Sequence, residues 1–339
     1  MKKTLGFAIV LAALIGMFAF SGQALAQYTV TGDLSTVGTN GYTAGATALL
    51  GAQTYTGSLS GLIGTAGGEA NYINNNLPSG SYSDMYANQD YIVATSSSGA
   101  IATFSVGEVT VGNNSVNSVG NSAGTSLNAN NISITGNNTT GYTITGPGRT
   151  LSNLTNINVV HTSMPVGVAG YSSSFTIQGS GLTTVTYNAS NFPASLPTYT
   201  NQEAYGYTGN QYTGVSLLTL LQNAGVNTGN LNQYVIATGI DGGEAVLSMS
   251  EIVQNSSTTI NGVSSGDMVA TLLNGSALSG SRGYARLVLP TDTSSARSIF
   301  TLASLTVEQT AAPVPLPATL LLFGPGLAGL AALRKRFKK

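Results

Sequence analysis

The 339-residue chain carries 11 Lys and Arg against 12 Asp and Glu, and only 7% of its residues are charged, where about 25% is usual for a globular protein. Seven of the basic residues sit in the two end segments. Between them only Arg149, Arg282, Arg286 and Arg297 oppose all 12 acids, a net charge of −8. That balance counts against nucleic-acid binding, which needs clustered cations to neutralise phosphates, and against adhesion of the central region to an anionic membrane surface. No cysteine is present, so the chain has no disulfide, no thiolate nucleophile and no thiolate metal ligand.

The chain opens with Lys2 and Lys3, continues with an apolar run from Leu5 to Phe20 broken only by glycine, and reaches the small residues Ala24-Leu25-Ala26. This order of charge, apolar core and small-residue cleavage site is that of a secretory signal peptide over residues 1–26, with signal peptidase reading Ala24 and Ala26. The mature chain is expected to begin at Gln27.

Two stretches of the remainder repeat one another. Tyr28–Gly32 matches Phe175–Gly179, and Thr54-Tyr55-Thr56-Gly57 matches Gln211-Tyr212-Thr213-Gly214. Tyr91-Ile-Val-Ala-Thr95 matches Tyr234-Val-Ile-Ala-Thr238, and without a gap Ser105 meets Ser248 and Glu108 meets Glu251. Gly141-Tyr142 recurs as Gly283-Tyr284, and Leu154–Val159 as Leu302–Val307. Matched blocks in one order predict two tandem copies of a single domain: residues 27–162 with an Asn/Ser/Gly-rich insert over 112–141, a linker over 163–171, and residues 172–310.

Each copy reads as α+β and β-rich. A strand opens it (28–32, 175–178), and a Tyr-Thr-Gly turn leads to a helix. In the second copy this helix spans Ser216 to Ala224, with Ser216 as N-cap and Gly225 as the stop; in the first copy it is glycine-rich and weaker. Tyr234–Thr238 and Glu244–Met249 flank Asp241-Gly242-Gly243 as a hairpin. A last strand closes each copy (156–160, 299–307). The insert reads either as a long loop or as an extra hairpin near Ile132–Thr135.

Residues 311–339 form a tail. A proline-spaced stretch, Val314-Pro315-Leu316-Pro317, precedes an apolar run from Ala318 to Leu333, and Arg334, Lys335, Arg336, Lys338 and Lys339 close the chain. The run is at the short edge for a spanning helix, which needs roughly 20 residues, and the basic end would stay cytoplasmic. This arrangement resembles the PEP-CTERM sorting signal, with Leu316 where that family usually has Glu. The resemblance implies an exosortase-type sorting protease as partner, an inner-membrane intermediate, and delivery to the cell surface or extracellular matrix. Exopolysaccharide is then a candidate ligand.

A second resemblance covers most of residues 175–308. The string Tyr212-Thr-Gly-Val-Ser-Leu-Leu-Thr-Leu-Leu-Gln-Asn-Ala-Gly-Val226, followed by Tyr234 to Ile252, is similar to the molybdopterin-binding domain of sulfite-oxidase-like oxidoreductases, and Arg286-Leu-Val-Leu-Pro290 continues the pattern. That family holds molybdenum through a protein Cys thiolate and cradles the pterin phosphate with Arg and polar groups. Here only Arg282, Arg286 and Arg297 could serve in the second copy, with no Cys. The resemblance therefore carries the fold and not the redox chemistry.

Few other groups invite chemistry. His161 is the only histidine, and neither a metal set nor a triad can be assembled around it from sequence. Glu108 and Glu251 hold equivalent places and read as a shared structural feature, such as a cap. Asp241 satisfies its own turn. Tyr205, Tyr207 and Tyr212 could stack on sugar rings. Two functions remain in view. The favoured one is an exported, non-catalytic binding or structural module with no cofactor. The alternative is a periplasmic molybdopterin-binding, oxidoreductase-like protein.

Overall fold

The computed structural model describes residues 28–32, 48–50, 57–58, 89–105, 132–137, 139–162, 167–193, 195–202, 210–257, 259–260, 263–264, 266–290 and 297–310. The signal segment, the first-copy helix, Glu108, Tyr205, Tyr207, most of the insert and the tail lie outside the described residues. Among the described residues no helix is long and apolar enough to cross a membrane.

The first half supplies β1 (Tyr28–Gly32), β2 (Ala48–Leu50), β3 (Gly57–Ser58), β4 (Asp90–Ser96), β5 (Ile101–Ser105), β6 (Ser133–Asn137), β7 (Gly141–Gly146), β8 (Arg149–Ser152) and β9 (Leu154–His161). The second supplies β10 (Ser174–Gly179), β11 (Val185–Asn188), β12 (Thr198–Gln202), β13 (Gln211–Ser216), α1 (Leu217–Asn223), β14 (Gln233–Gly239), β15 (Glu244–Ser248), α2 (Met249–Asn255), β16 (Thr259–Ile260), β17 (Val263–Ser264), β18 (Met268–Leu273), β19 (Ser276–Ala277), β20 (Arg286–Val288) and β21 (Leu302–Gln309). The fold is β-rich α+β.

Of the three five-stranded sheets among the described residues, two correspond, ordered β2-β1-β9-β4-β5 and β11-β10-β21-β14-β15; the third joins β12-β13-β18-β19, with β20 beside β18. Their directions correspond strand for strand: β1 and β10 run parallel to β9 and β21, and every other pairing is antiparallel. The registers correspond too. Tyr91 lies opposite Ser105 and Tyr234 opposite Ser248. Both sheets slip at one place, between Thr95 and Ser96 and between Thr238 and Gly239. Glycine recurs opposite the closing strand, as Gly32 facing Val159 and Gly179 facing Val307. At Gly179 a Cβ would collide with the Val307 carbonyl oxygen, so no larger residue fits.

Each sheet buries one face against its own half. Period-two alternation sends Ile92, Ala94, Ala102, Phe104, Ile157 and Val159 onto a core shared with Ile134, Tyr142 and Ile144 of the second, four-stranded sheet β3-β6-β7-β8. In the other half Phe175, Ile177, Val235, Ala237, Leu305 and Val307 pack against Leu217, Leu220 and Leu221 of α1 and Ile252 of α2. The expected helix is present: Ser216 caps α1 by accepting from the Thr219 amide at 3.4 Å, and Gly225 ends it at φ 86°. Two expectations change. Tyr212-Thr213-Gly214 is not a turn but lies inside β13, at a register shift against β18. The hairpin's second strand ends at Ser248, and Met249 opens α2, which periodicity does not mark. The signal for it is Ser248-Met-Ser-Glu251, the spacing of a capping box; Ser248 Oγ accepts from the Glu251 amide at 3.1 Å. The insert supplies β6, hairpinned to β7.

The matched slips place Asn153 at φ 55° and Thr301 at φ 45°, and their carbonyls accept from the Ser97 and Ile240 amides at 2.9 and 3.0 Å. Asparagine tolerates the left-handed region; a β-branched threonine is strained there. Thr301→Asn is expected to raise stability by about 1 kcal/mol, and Asn153→Thr to lower it by a similar amount. Thermal denaturation of the two variants checks this.

Candidate functional site

On the faces turned away from the two cores, side chains should be wet. At β4, β5, β14 and β15 they are not. Val93, Thr103, Ser105, Tyr234, Glu244, Val246 and Ser248 are all buried, because β5 lies against β15 and the two sheets cover one another. This seam gathers several of the chain's buried ionisable groups.

At its middle the rings of Tyr91 and Tyr234 stack with centroids 4.2 Å apart and planes 21° from parallel. The Tyr234 hydroxyl donates to that of Tyr91 at 3.3 Å. Burial, then the hydrogen bond with Tyr91, pushes the Tyr234 pKa well up, so Tyr234 is neutral at any physiological pH.

Beside it Glu251, in the first turn of α2 and 1% exposed, receives three side-chain bonds. Arg297 donates from Nη2 to Oε1 at 2.5 Å and from Nη1 to Oε2 at 3.2 Å. Ser105, from the other sheet, donates to Oε2 at 2.8 Å. The acid that sequence places opposite Glu108 thus has a structural job, with partners no spacing could reveal, since Arg297 is 46 residues away and Ser105 is 146. On the flank, Ser250 Oγ donates to the Pro147 carbonyl at 2.5 Å.

At the seam's other end the closing strands reach across. Thr103 Oγ1 donates to Thr310 Oγ1 at 2.9 Å. Thr162 Oγ1 donates to Glu244 Oε1 and lies 2.7 Å from the Gln89 carbonyl. His161 Nδ1 sits 2.6 Å from Asp90 Oδ1, so the lone histidine has an acid partner across the β4–β9 pairing. Desolvation raises the Glu244 pKa, against smaller lowering by Thr162 and His161.

The candidate arginines separate. Arg286 is 1% exposed; its Nη1 donates to the Tyr212 hydroxyl at 2.8 Å, and its guanidinium carbon lies 3.2 Å from the Phe300 ring centroid. Arg297 is spent on Glu251. Arg282 is exposed, in the 3-10 turn Gly280–Arg282. Arg149 covers the Phe104 ring at 4.0 Å. Two of the three guanidiniums that would cradle a pterin phosphate are therefore committed inside the protein. With no thiolate in the chain, the donor set does not fit a molybdenum cofactor. Tyr212 is buried as the partner of Arg286 and presents no ring face for a sugar. Asp241 Oδ1 accepts from the Gly243 amide at 3.1 Å, the self-satisfied turn its sequence predicts. Among the described residues no group of three or more His, Asp or Glu could hold a metal ion. The seam's polar groups bind one another, which is the chemistry of a clasp.

No protein-family model matches the chain, and no curated protein matches it. Among solved structures, the sulfane dehydrogenase SoxCD from Paracoccus pantotrophus is similar at 20% identity with a TM-score of 0.31. That match covers 46% of this chain and 42% of that one, too distant a likeness to assign a fold or an activity.

Two outcomes follow from the seam's charges. Removing Arg297 strands a buried carboxylate, so Arg297→Met is expected to cost about 3–5 kcal/mol, with much of it recovered when Glu251→Gln is added; urea denaturation of both variants measures it. Glu244 holds its proton more tightly folded than unfolded. Stability is then highest below the ordinary value of 4.5 and falls as pH rises toward the raised folded value. Glu244→Gln should match the native protein at low pH and exceed it near neutrality. Melting curves that keep a constant gap across that range would refute the assignment.

Proposed function

We propose that the chain is exported, passes through an inner-membrane-anchored intermediate, and is sorted by an exosortase-type system to the cell surface or extracellular matrix. There it acts as a non-catalytic binding or structural module, built from two tandem copies of one sulfite-oxidase-like domain over residues 27–162 and 172–310. The observation that carries this reading is the pairing of the two end segments, Lys2 to Ala26 and Val314 to Lys339, around a region with four cations and no cysteine. The matched order and register of the two five-stranded sheets support the duplication. The commitment of Arg286, Arg297, Glu251 and His161 to internal partners supports a module whose ionisable groups serve cohesion. Exopolysaccharide is the ligand class that the sorting resemblance brings with it, and a sparsely charged region of net −8 suits a neutral glycan better than a polyanionic one.

Intact-mass measurement of the protein recovered from its native envelope or medium tests both ends together. The expected species begins at Gln27 and lacks the basic terminus from Arg334 onward. Recovery of the whole chain would end the sorting reading. Metal analysis of the same sample separates the alternative, since stoichiometric molybdenum would establish an oxidoreductase-like cofactor protein.

A further inference from the structure

The seam is built reciprocally. Tyr91 and Tyr234 hold the same place in their hairpins, opposite Ser105 and Ser248, and across the seam each stacks on its own counterpart. Thr162 and Thr310 each follow the closing strand of their sheet, β9 and β21. Their amides donate to corresponding carbonyls, Gln89 at 3.0 Å and Asn232 at 3.1 Å. Their hydroxyls then reach the opposite sheet: Thr162 donates to Glu244 on β15, and Thr310 accepts from Thr103 on β5. An interface in which a position meets its own equivalent, and in which the end of each closing strand reaches the outer hairpin strand of the other sheet, approximates the isologous type that joins identical subunits about a two-fold axis.

We propose that this seam is a self-recognition surface whose partner is a second copy of this chain, the first half of one molecule seated on the second half of another. The bonds Thr103–Thr310, Ser105–Glu251 and Tyr91–Tyr234 join side chains more than 100 positions apart, so they can be made between two chains as they are within one. The short connection through residues 163–166 gives the internal partner an effective concentration on the order of millimolar. Exchange competes once protein reaches that range, as it does in a layer crowded at a surface. The halves have similar charge: five acids with Arg149 in residues 27–162, and seven acids with three arginines in 172–310, a net −4 each. Two chains brought together, each at −8 between its end segments, add a repulsion that a single chain lacks, and salt screens it, so exchange rises with ionic strength. This rests on the seam geometry and not on the export signals, so either can fail alone.

The absence of cysteine allows a direct test. In the double variant Thr103→Cys/Thr310→Cys the new thiols replace hydroxyls 2.9 Å apart, within reach of a disulfide after small adjustment. Light and heavy isotope-labelled chains are mixed, held at low or at about millimolar concentration, then oxidised and mapped by mass spectrometry. Bridges within one chain are expected when dilute. Bridges joining position 103 of a light chain to position 310 of a heavy one, or the reverse, are expected to rise about tenfold when concentrated. Same-chain bridges alone at every concentration would overturn the proposal. If the introduced thiols do not bridge, native mass spectrometry of the unmodified labelled mixture decides: mixed light–heavy dimers that grow with concentration support it, and monomers throughout reject it.

Discussion

A β-sheet has two faces, and each of the two matched five-stranded sheets can bury only one of them within its own half. The core faces carry Ile92, Phe104 and Ile157 on one side and Phe175, Val235 and Leu305 on the other. The opposite faces carry Tyr91, Val93, Tyr234 and Val246, too apolar to leave in water along two adjacent strands. Stacking those faces on one another is the constraint on which the rest depends. It brings Ser105 to Glu251, Thr103 to Thr310 and Thr162 to Glu244. Aromatic stacking of the kind Tyr91 and Tyr234 make adds about 0.5–1.5 kcal/mol beyond the area it buries. The polar bonds around it add little net energy and much specificity, since each buried donor or acceptor is costly to leave unmade.

The scarcity of charge gives this arrangement its character. With four cations for 12 acids between the end segments, most acids must be solvated or tied to hydroxyls and amides. Glu251 combines a guanidinium, a hydroxyl and a place in the first turn of a helix. Glu244 has the Thr162 hydroxyl and only a weak pull from His161, and its pKa rises under desolvation. Arg286 also lies against the rings of Tyr212 and Phe300, whose electrons attract its guanidinium. Each of these groups is held by partners inside the protein, and together they tie the two sheets and the helix α2 to one another.

Much of the local structure is legible in the residues. Strands β1, β10 and β14, the Asp-Gly-Gly turn and helix α1 with its Ser216 cap all follow from patterns of a few neighbours. Helix α2 escapes such a reading because Met249 to Asn255 lacks an apolar stripe clear enough to mark a short helix, although the Ser248-to-Glu251 spacing is present. Tyr212-Thr213-Gly214 reads as a turn because glycine breaks strands on average; here Gly214 sits against Val269 and Ala270 so closely that a Cβ would collide with the Val269 carbonyl oxygen.

The sequence by itself determined the β-rich character, the run of matched segments, the charge balance and the lack of any thiolate ligand, because these depend on residue type, order and short-range propensity. The tertiary structure alone decided which faces meet. It made partners of Arg297 and Glu251, of His161 and Asp90, and of Tyr91 and Tyr234, and it moved Tyr212 from a candidate sugar platform into the core. Such pairings depend on how two sheets stack across sequence separations of up to 146 residues, and no local pattern encodes which surface covers which.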